Sequence, residues 1–122
     1  MTYYTSNKAG KTRSVNITAE TEDQTETIYT CPSNTRAHMS LLYVKNISGG
    51  NCTVDVVWNR ADSSHAHILG AKNMGNGEYI QWSGAFIVLE PGDSMVVTPS
   101  SNNTPHIDAF VTVEEFYSFN GQ

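Results

Sequence analysis

Apolar and polar residues alternate with a period of two along much of this chain, the mark of half-buried β-strands. The pattern is clearest in two neighbouring stretches. Residues 37–46 (AHMSLLYVKN) set Met39, Leu41 and Tyr43 on one face and Leu42 and Val44 on the other. Residues 52–59 (CTVDVVWN) gather Cys52, Val54, Val56 and Trp58 on one face, with Thr53, Asp55 and Asn59 opposite. Ser48-Gly49-Gly50-Asn51 lies between them and is turn chemistry, because glycine reaches positive φ without steric cost. The pattern therefore predicts a β-hairpin over residues 37–59.

Shorter strands precede it. Residues 14–18 (SVNIT) turn Val15 and Ile17 inward, and residues 27–31 (TIYTC) form a second strand, stopped by Pro32-Ser33-Asn34. Beyond the hairpin, residues 60–77 are the least regular part, with a short strand over 65–69. Asn76-Gly77 is the dipeptide preferred in type I′ hairpin turns, and leads into a strand over 78–82 (EYIQW). Ser83-Gly84 predicts another turn before the apolar run 86–89 (FIVL). Glu90-Pro91-Gly92-Asp93 has Pro and Gly where a type II turn wants them. A strand over 94–98 follows, then a loop over 99–105. The last strand, residues 106–117, sends Ile107, Ala109, Val111 and Val113 inward and Asp108, Thr112 and Glu114 to water. Phe110 breaks that outward polar set and is a candidate for packing on a neighbouring chain.

About eight strands with frequent turns and no helical period predict an all-β fold, a two-sheet antiparallel β-sandwich of jelly-roll or Ig-like type. A closed barrel is the competing topology. Residues 1–13 lack periodicity and read as a flexible N-terminal arm, leaving residues 14–122 as the single sandwich domain. A chain of 122 residues suits one domain with one core.

Composition narrows the function more than the fold. Charged residues make up 16% and the net charge is −5, which disfavours a general nucleic-acid binder needing a basic stripe. Lys8, Lys11 and Arg13 nevertheless precede Glu20, Glu22, Asp23 and Glu26, so the arm is locally basic. No apolar run is long enough to span a membrane as a helix, and the start MTYYTSNKAG does not read as a signal peptide. Cys31 and Cys52 form no metal-ligand spacing and read as free thiols in apolar strand patterns. Four Asn-x-Ser/Thr triplets, beginning at Asn16, Asn46, Asn51 and Asn102, are expected by chance in so Asn-, Ser- and Thr-rich a chain.

Candidate chemistry is sparse. His65 and His67, two apart, would share a strand face and could bind Zn²⁺ or Cu²⁺ if Asp62, His38 or His106 converged on them. Two exposed histidines are the simpler reading, so no metal and no other cofactor is expected. No GxSxG elbow or phosphate-cradling glycine loop occurs, and Glu114 and Glu115 point to opposite faces. The chain is read as non-enzymatic, with no catalytic or cofactor-binding residue. Trp58 and Trp82 fall in with apolar neighbours and read as core, while Tyr3, Tyr4, Tyr117 and Phe119 lie near the termini, where contact with another subunit would cover them.

The runs TIYTCPSNTRAHMSLLYVKNISGGNCTVDVVW, IVLEPGDSMVVTPSSNN and IDAFVTVEEF resemble small bacteriophage virion proteins over residues 28–117. That resemblance implies a β-sandwich found in head-decoration, neck and tail parts, commonly a symmetric homo-oligomer among other virion proteins. The expectation is a virion structural subunit with no membrane and no specific nucleic-acid partner. A carbohydrate- or receptor-binding module of a tail fibre, using Tyr79, Trp82 and the 60–77 loop, is the alternative.

Overall fold

A computed structural model describes residues 2–4 and 11–120. Its nine strands are β1 (Thr2–Tyr4), β2 (Lys11–Ala19), β3 (Glu26–Thr30), β4 (Thr35–Asn46), β5 (Cys52–Asn59), β6 (His65–Met74), β7 (Tyr79–Leu89), β8 (Ser94–Ser100) and β9 (Ile107–Asn120). They form two antiparallel sheets. One has the order β1-β9-β4-β7, with β2 also paired to β9; the other has the order β3-β8-β5-β6. The chain changes sheet at every connection from β2 onward except β5–β6, which is the arrangement of a jelly roll. The expected sandwich is thus the observed one, and among the described residues there is no helix.

The hairpin over residues 37–59 is not formed. β4 lies between β9 and β7, whereas β5 lies between β8 and β6 in the opposite sheet. Asn46 explains the corner. Its side chain is fully buried, and its Nδ2 donates to the carbonyls of Gly50 and Met74, each at 2.9 Å. Its Oδ1 accepts from the backbone N–H of Ser48 at 2.9 Å and from the Ser48 hydroxyl. The chain is thereby turned out of one sheet and into the other.

Asn76-Gly77 likewise makes a corner, since β6 and β7 belong to different sheets. Only Gly77 has positive φ (84°), whereas a type I′ turn needs both central residues there. The two corners are tied together: Gly77 N–H donates to the Asn46 carbonyl at 2.7 Å, and Gly49 N–H to Asn76 Oδ1 at 2.9 Å. The Glu90–Asp93 turn has the expected type II features, with Gly92 at φ 88° and Asp93 N–H on the Glu90 carbonyl at 3.0 Å.

Two expected strands merge into β7, and the expected phase of β4 breaks halfway. Both have one cause. The register jumps between Met39 and Leu41 against both neighbours, leaving Ser40 unpaired as a bulge. Inward positions therefore run Ala37, Met39, then Leu42 and Val44, so Leu41 and Tyr43 face outward. On β7 the same point spans Ser83 to Ile87, with Gly84 at φ 89°, so the Ser83-Gly84 signal marks a bulge within one strand.

The core is built as the alternation requires. Ile107, Ala109, Val111 and Val113 of β9 are buried against Val54, Val56 and Val97 of the facing sheet. Glu115 continues the same inward series and is also buried, which strand polarity alone did not suggest. β2 begins at Lys11, so the expected arm boundary at residue 13 falls inside a strand: Lys11, Thr12 and Arg13 pair with Glu115, Glu114 and Val113. Residues 1 and 5–10 lie outside the described residues.

Candidate functional site

The outer face of the five-stranded sheet carries the most varied chemistry. Register alone sets its rows. One runs Asn16–Phe110–Tyr43–Gln81 across β2, β9, β4 and β7, and the next runs Thr18–Asp108–Lys45–Tyr79. Tyr43 stacks on Phe110 with centroids 4.7 Å apart and on Tyr79 at 5.5 Å, with interplanar angles of 21° and 20°. The Ser40 bulge places Tyr43 here, by reversing the phase of β4. Phe110, a candidate for packing on a neighbouring chain, packs on Tyr43 within its own chain. Tyr79 is 59% exposed and ends the stack.

Beside the stack is an open depression of about 530 Å³, bordered by Ser14, Asn16, Tyr43, Lys45, Asp108 and Phe110. Asp108 Oδ1 accepts from the Thr18 hydroxyl at 3.2 Å and lies 3.5 Å from His106 Nε2. The other ring nitrogen of His106 is 3.3 Å from Glu20 Oε2.

Two buried carboxylates sit elsewhere. Asp93, 1% exposed, accepts from the backbone N–H of Ala61 at 2.9 Å and of Glu90 at 3.0 Å, and from Trp58 Nε1 at 3.2 Å. Arg60 Nε lies 3.3 Å from Asp93 Oδ2, but is not aligned for a hydrogen bond, and its guanidinium covers the Trp58 ring at 4.6 Å. Glu115, 2% exposed, accepts from the Tyr29 hydroxyl at 2.5 Å and from Arg13 Nη1 at 3.2 Å. Burial, followed by the bond to Glu115, pushes the Tyr29 phenol far above its usual range. Burial also lifts the Cys31 thiol to about 11 and raises that of Cys52. Neither thiol is a poised nucleophile.

The histidines do not converge. His65 and His67 are exposed on β6, with ring centroids 5.5 Å apart. His38 belongs to the other sheet, where it packs on Phe116 at 4.8 Å, and His106 is engaged by Glu20 and Asp108. Asp62 accepts from the backbone and hydroxyl of Ser64. Among the described residues no group of three or more His, Cys, Asp or Glu side chains could hold a metal ion. No helix among them is long and apolar enough to cross a membrane. Trp58 and Trp82 are partly buried against the core, and Tyr117 is 50% exposed. The side chains of Tyr3, Tyr4 and Phe119 lie outside the described residues.

No protein-family model matches the chain, and no curated protein matches it by sequence. Solved structures do. A chain from Bacillus endospore appendages, a family of disulfide-linked pili, aligns at a TM-score of 0.55 and 12% identity, covering 93% of this chain and 92% of that one. A chain of the acid-stable capsid of Helicobacter pylori bacteriophage KHP30 aligns at 0.45 and 8%, covering 98% and 99%. One from the cyanophage Pam1 capsid aligns at 0.42 and 12%, covering 89% and 86%. At such identities the pilus likeness is one of fold: this chain is a β-sandwich of the kind that a pilus subunit of nearly equal extent also adopts.

Proposed function

We propose that the chain is a non-enzymatic structural subunit of a bacteriophage particle, a capsid cement or decoration protein or a neck or tail component. It acts as a symmetric homo-oligomer in contact with other virion proteins. One observation carries this reading. β4 pairs with β9 only as far as Tyr117, yet β9 continues to Asn120, where Thr2–Tyr4 pair with Ser118–Asn120. Both ends of the described chain thus meet in a two-stranded ribbon that overruns the sheet. A lone ribbon of that kind is marginally stable in water, and a neighbouring subunit would give it a surface to lie on. Exposed Tyr117 stands at its base. The sequence resemblance and the pilus subunit's fold support the same kind of work. Unlike disulfide-linked pili, however, this chain has both of its cysteines buried, so its contacts would be non-covalent.

Purified virions test the assignment. Hundreds of copies per particle would mark a cement protein, whereas about six or twelve would mark a neck or tail ring. Absence from virions would refute it. Deleting residues 1–10, which spares β2, should leave a folded domain that no longer enters the particle.

A further inference from the structure

We propose that the depression on the outer face of the five-stranded sheet is a binding site for a neutral saccharide. It is independent of any place in a virion. The aromatic stack supplies the first half of the site. Its rings stand one strand apart, at 4.7 Å and 5.5 Å, and Phe110 is the last ring on the β2 side. The next position in that row is Asn16, a short amide in place of a ring, and the depression opens along it. A sugar ring offers the flat, weakly polar C–H face that packs on an aromatic side chain.

Hydrogen-bonding groups around the wall supply the second half. Asn16 is exposed and Lys45 half-buried, and neither side chain has a hydrogen bond or ion pair among the described residues. Asp108 uses Oδ1 for Thr18 and His106 and leaves Oδ2 without a partner among them. An amide that both donates and accepts, a carboxylate oxygen and an ammonium together match vicinal hydroxyls. One cation faces one anion across the β4–β9 pair, so no net charge selects an anionic ligand. An apolar ligand would leave those polar groups desolvated and unpaired.

The test is NMR titration of the full ¹⁵N-labelled chain with neutral hexasaccharides: cellohexaose, xylohexaose, maltohexaose and mannohexaose. At least one should shift amides of residues 14–17, 43–45 and 108–110 in a saturable way. Asn16→Ala and Phe110→Ala should each weaken that binding about tenfold or more, while His65→Ala leaves it unchanged. The amide spectrum of each variant reports its folding, and the exposed Asn16 site keeps the test valid if Phe110→Ala unfolds. Failure of all four sugars to shift these amides would overturn the proposal. So would shifts centred on β6, or binding that survives Asn16→Ala and a folded Phe110→Ala.

Discussion

Asp93 and Glu115 are buried to nearly the same degree, at 1% and 2% exposure, but they are neutralised by different means. Asp93 sits in a turn and takes two of its partners from backbone, Glu90 three residues back and Ala61 in the adjoining loop, with the Trp58 and Arg60 side chains completing the set. Glu115 sits mid-strand, where its backbone groups face β2 and β4, and among the described residues its carboxylate is held by side chains alone. Tyr29 reaches it from the facing sheet and Arg13 from the neighbouring strand. The first arrangement fixes a corner. The second joins the two sheets and fastens the start of β2.

Removing the carboxylate should hurt the corner most. Asp93→Ala strands two backbone N–H groups and the Trp58 indole, and leaves Arg60 without its counter-ion; a loss of about 3–5 kcal/mol in urea unfolding is expected. Asp93→Asn should cost less, since its amide oxygen can still accept. Equal losses for the two would show that the charge, rather than its backbone bonds, holds the corner. At the other site Tyr29→Phe removes the inter-sheet donor to Glu115 and should cost about 1–3 kcal/mol. A neutral outcome there would mean that Arg13 alone suffices.

These two sites also mark what the sequence can and cannot disclose. The Glu90–Asp93 turn was legible because Pro91 and Gly92 impose their own dihedral angles, whatever packs around them. The inward series of β9 was legible up to Val113 for a similar reason, since a period of two is local. The same period turns Glu115 inward, but the partners that let a carboxylate stay buried there, Tyr29 and Arg13, lie 86 and 102 positions away and leave no local signal. The hairpin failed for a related reason. Gly49 and Gly50 announce a reversal, but whether the chain returns in the same sheet is decided by Asn46 bonding Met74, 28 residues on. The aromatic stack was hidden by one residue: without the Ser40 bulge, Tyr43 would face the same way as Met39.

Alkaline pH separates the two regions a second time. Cys31 lies near the corner, where its thiol donates to the Thr35 carbonyl at 3.2 Å, and burial raises its pKa from the usual 9.0 to about 11. A raised folded pKa gives stability that is intact below pH 9 and lost as pH climbs through 11. That loss should amount to about 1–2 kcal/mol, measured as the fall in unfolding free energy across the window. Cys31→Ala should flatten the decline over that window, even though it lowers overall stability by opening a cavity. Tyr29 acts in the same direction from pH 10 upward, so the part of the slope that Tyr29→Phe removes belongs to the Glu115 site.

The smallest effect is expected at Arg13, and it bears most directly on where the terminal segment begins. Its side chain is 45% exposed while Glu115 is 2% exposed, so water screens one partner and hardly reaches the other. Arg13→Ala should therefore cost about 1 kcal/mol, more than a fully exposed pair and less than a buried one. Tyr29 would still hold the carboxylate. Truncation turns this into a boundary measurement. Removing residues 1–10 keeps Lys11–Ala19 on β9 and should leave stability within about 0.5 kcal/mol of the full chain. Removing residues 1–13 takes away Arg13 and its strand pairing, and should lose at least as much as Arg13→Ala. If the two truncations are equally stable, the fold starts at Ser14 after all and the Arg13–Glu115 contact does nothing to secure it.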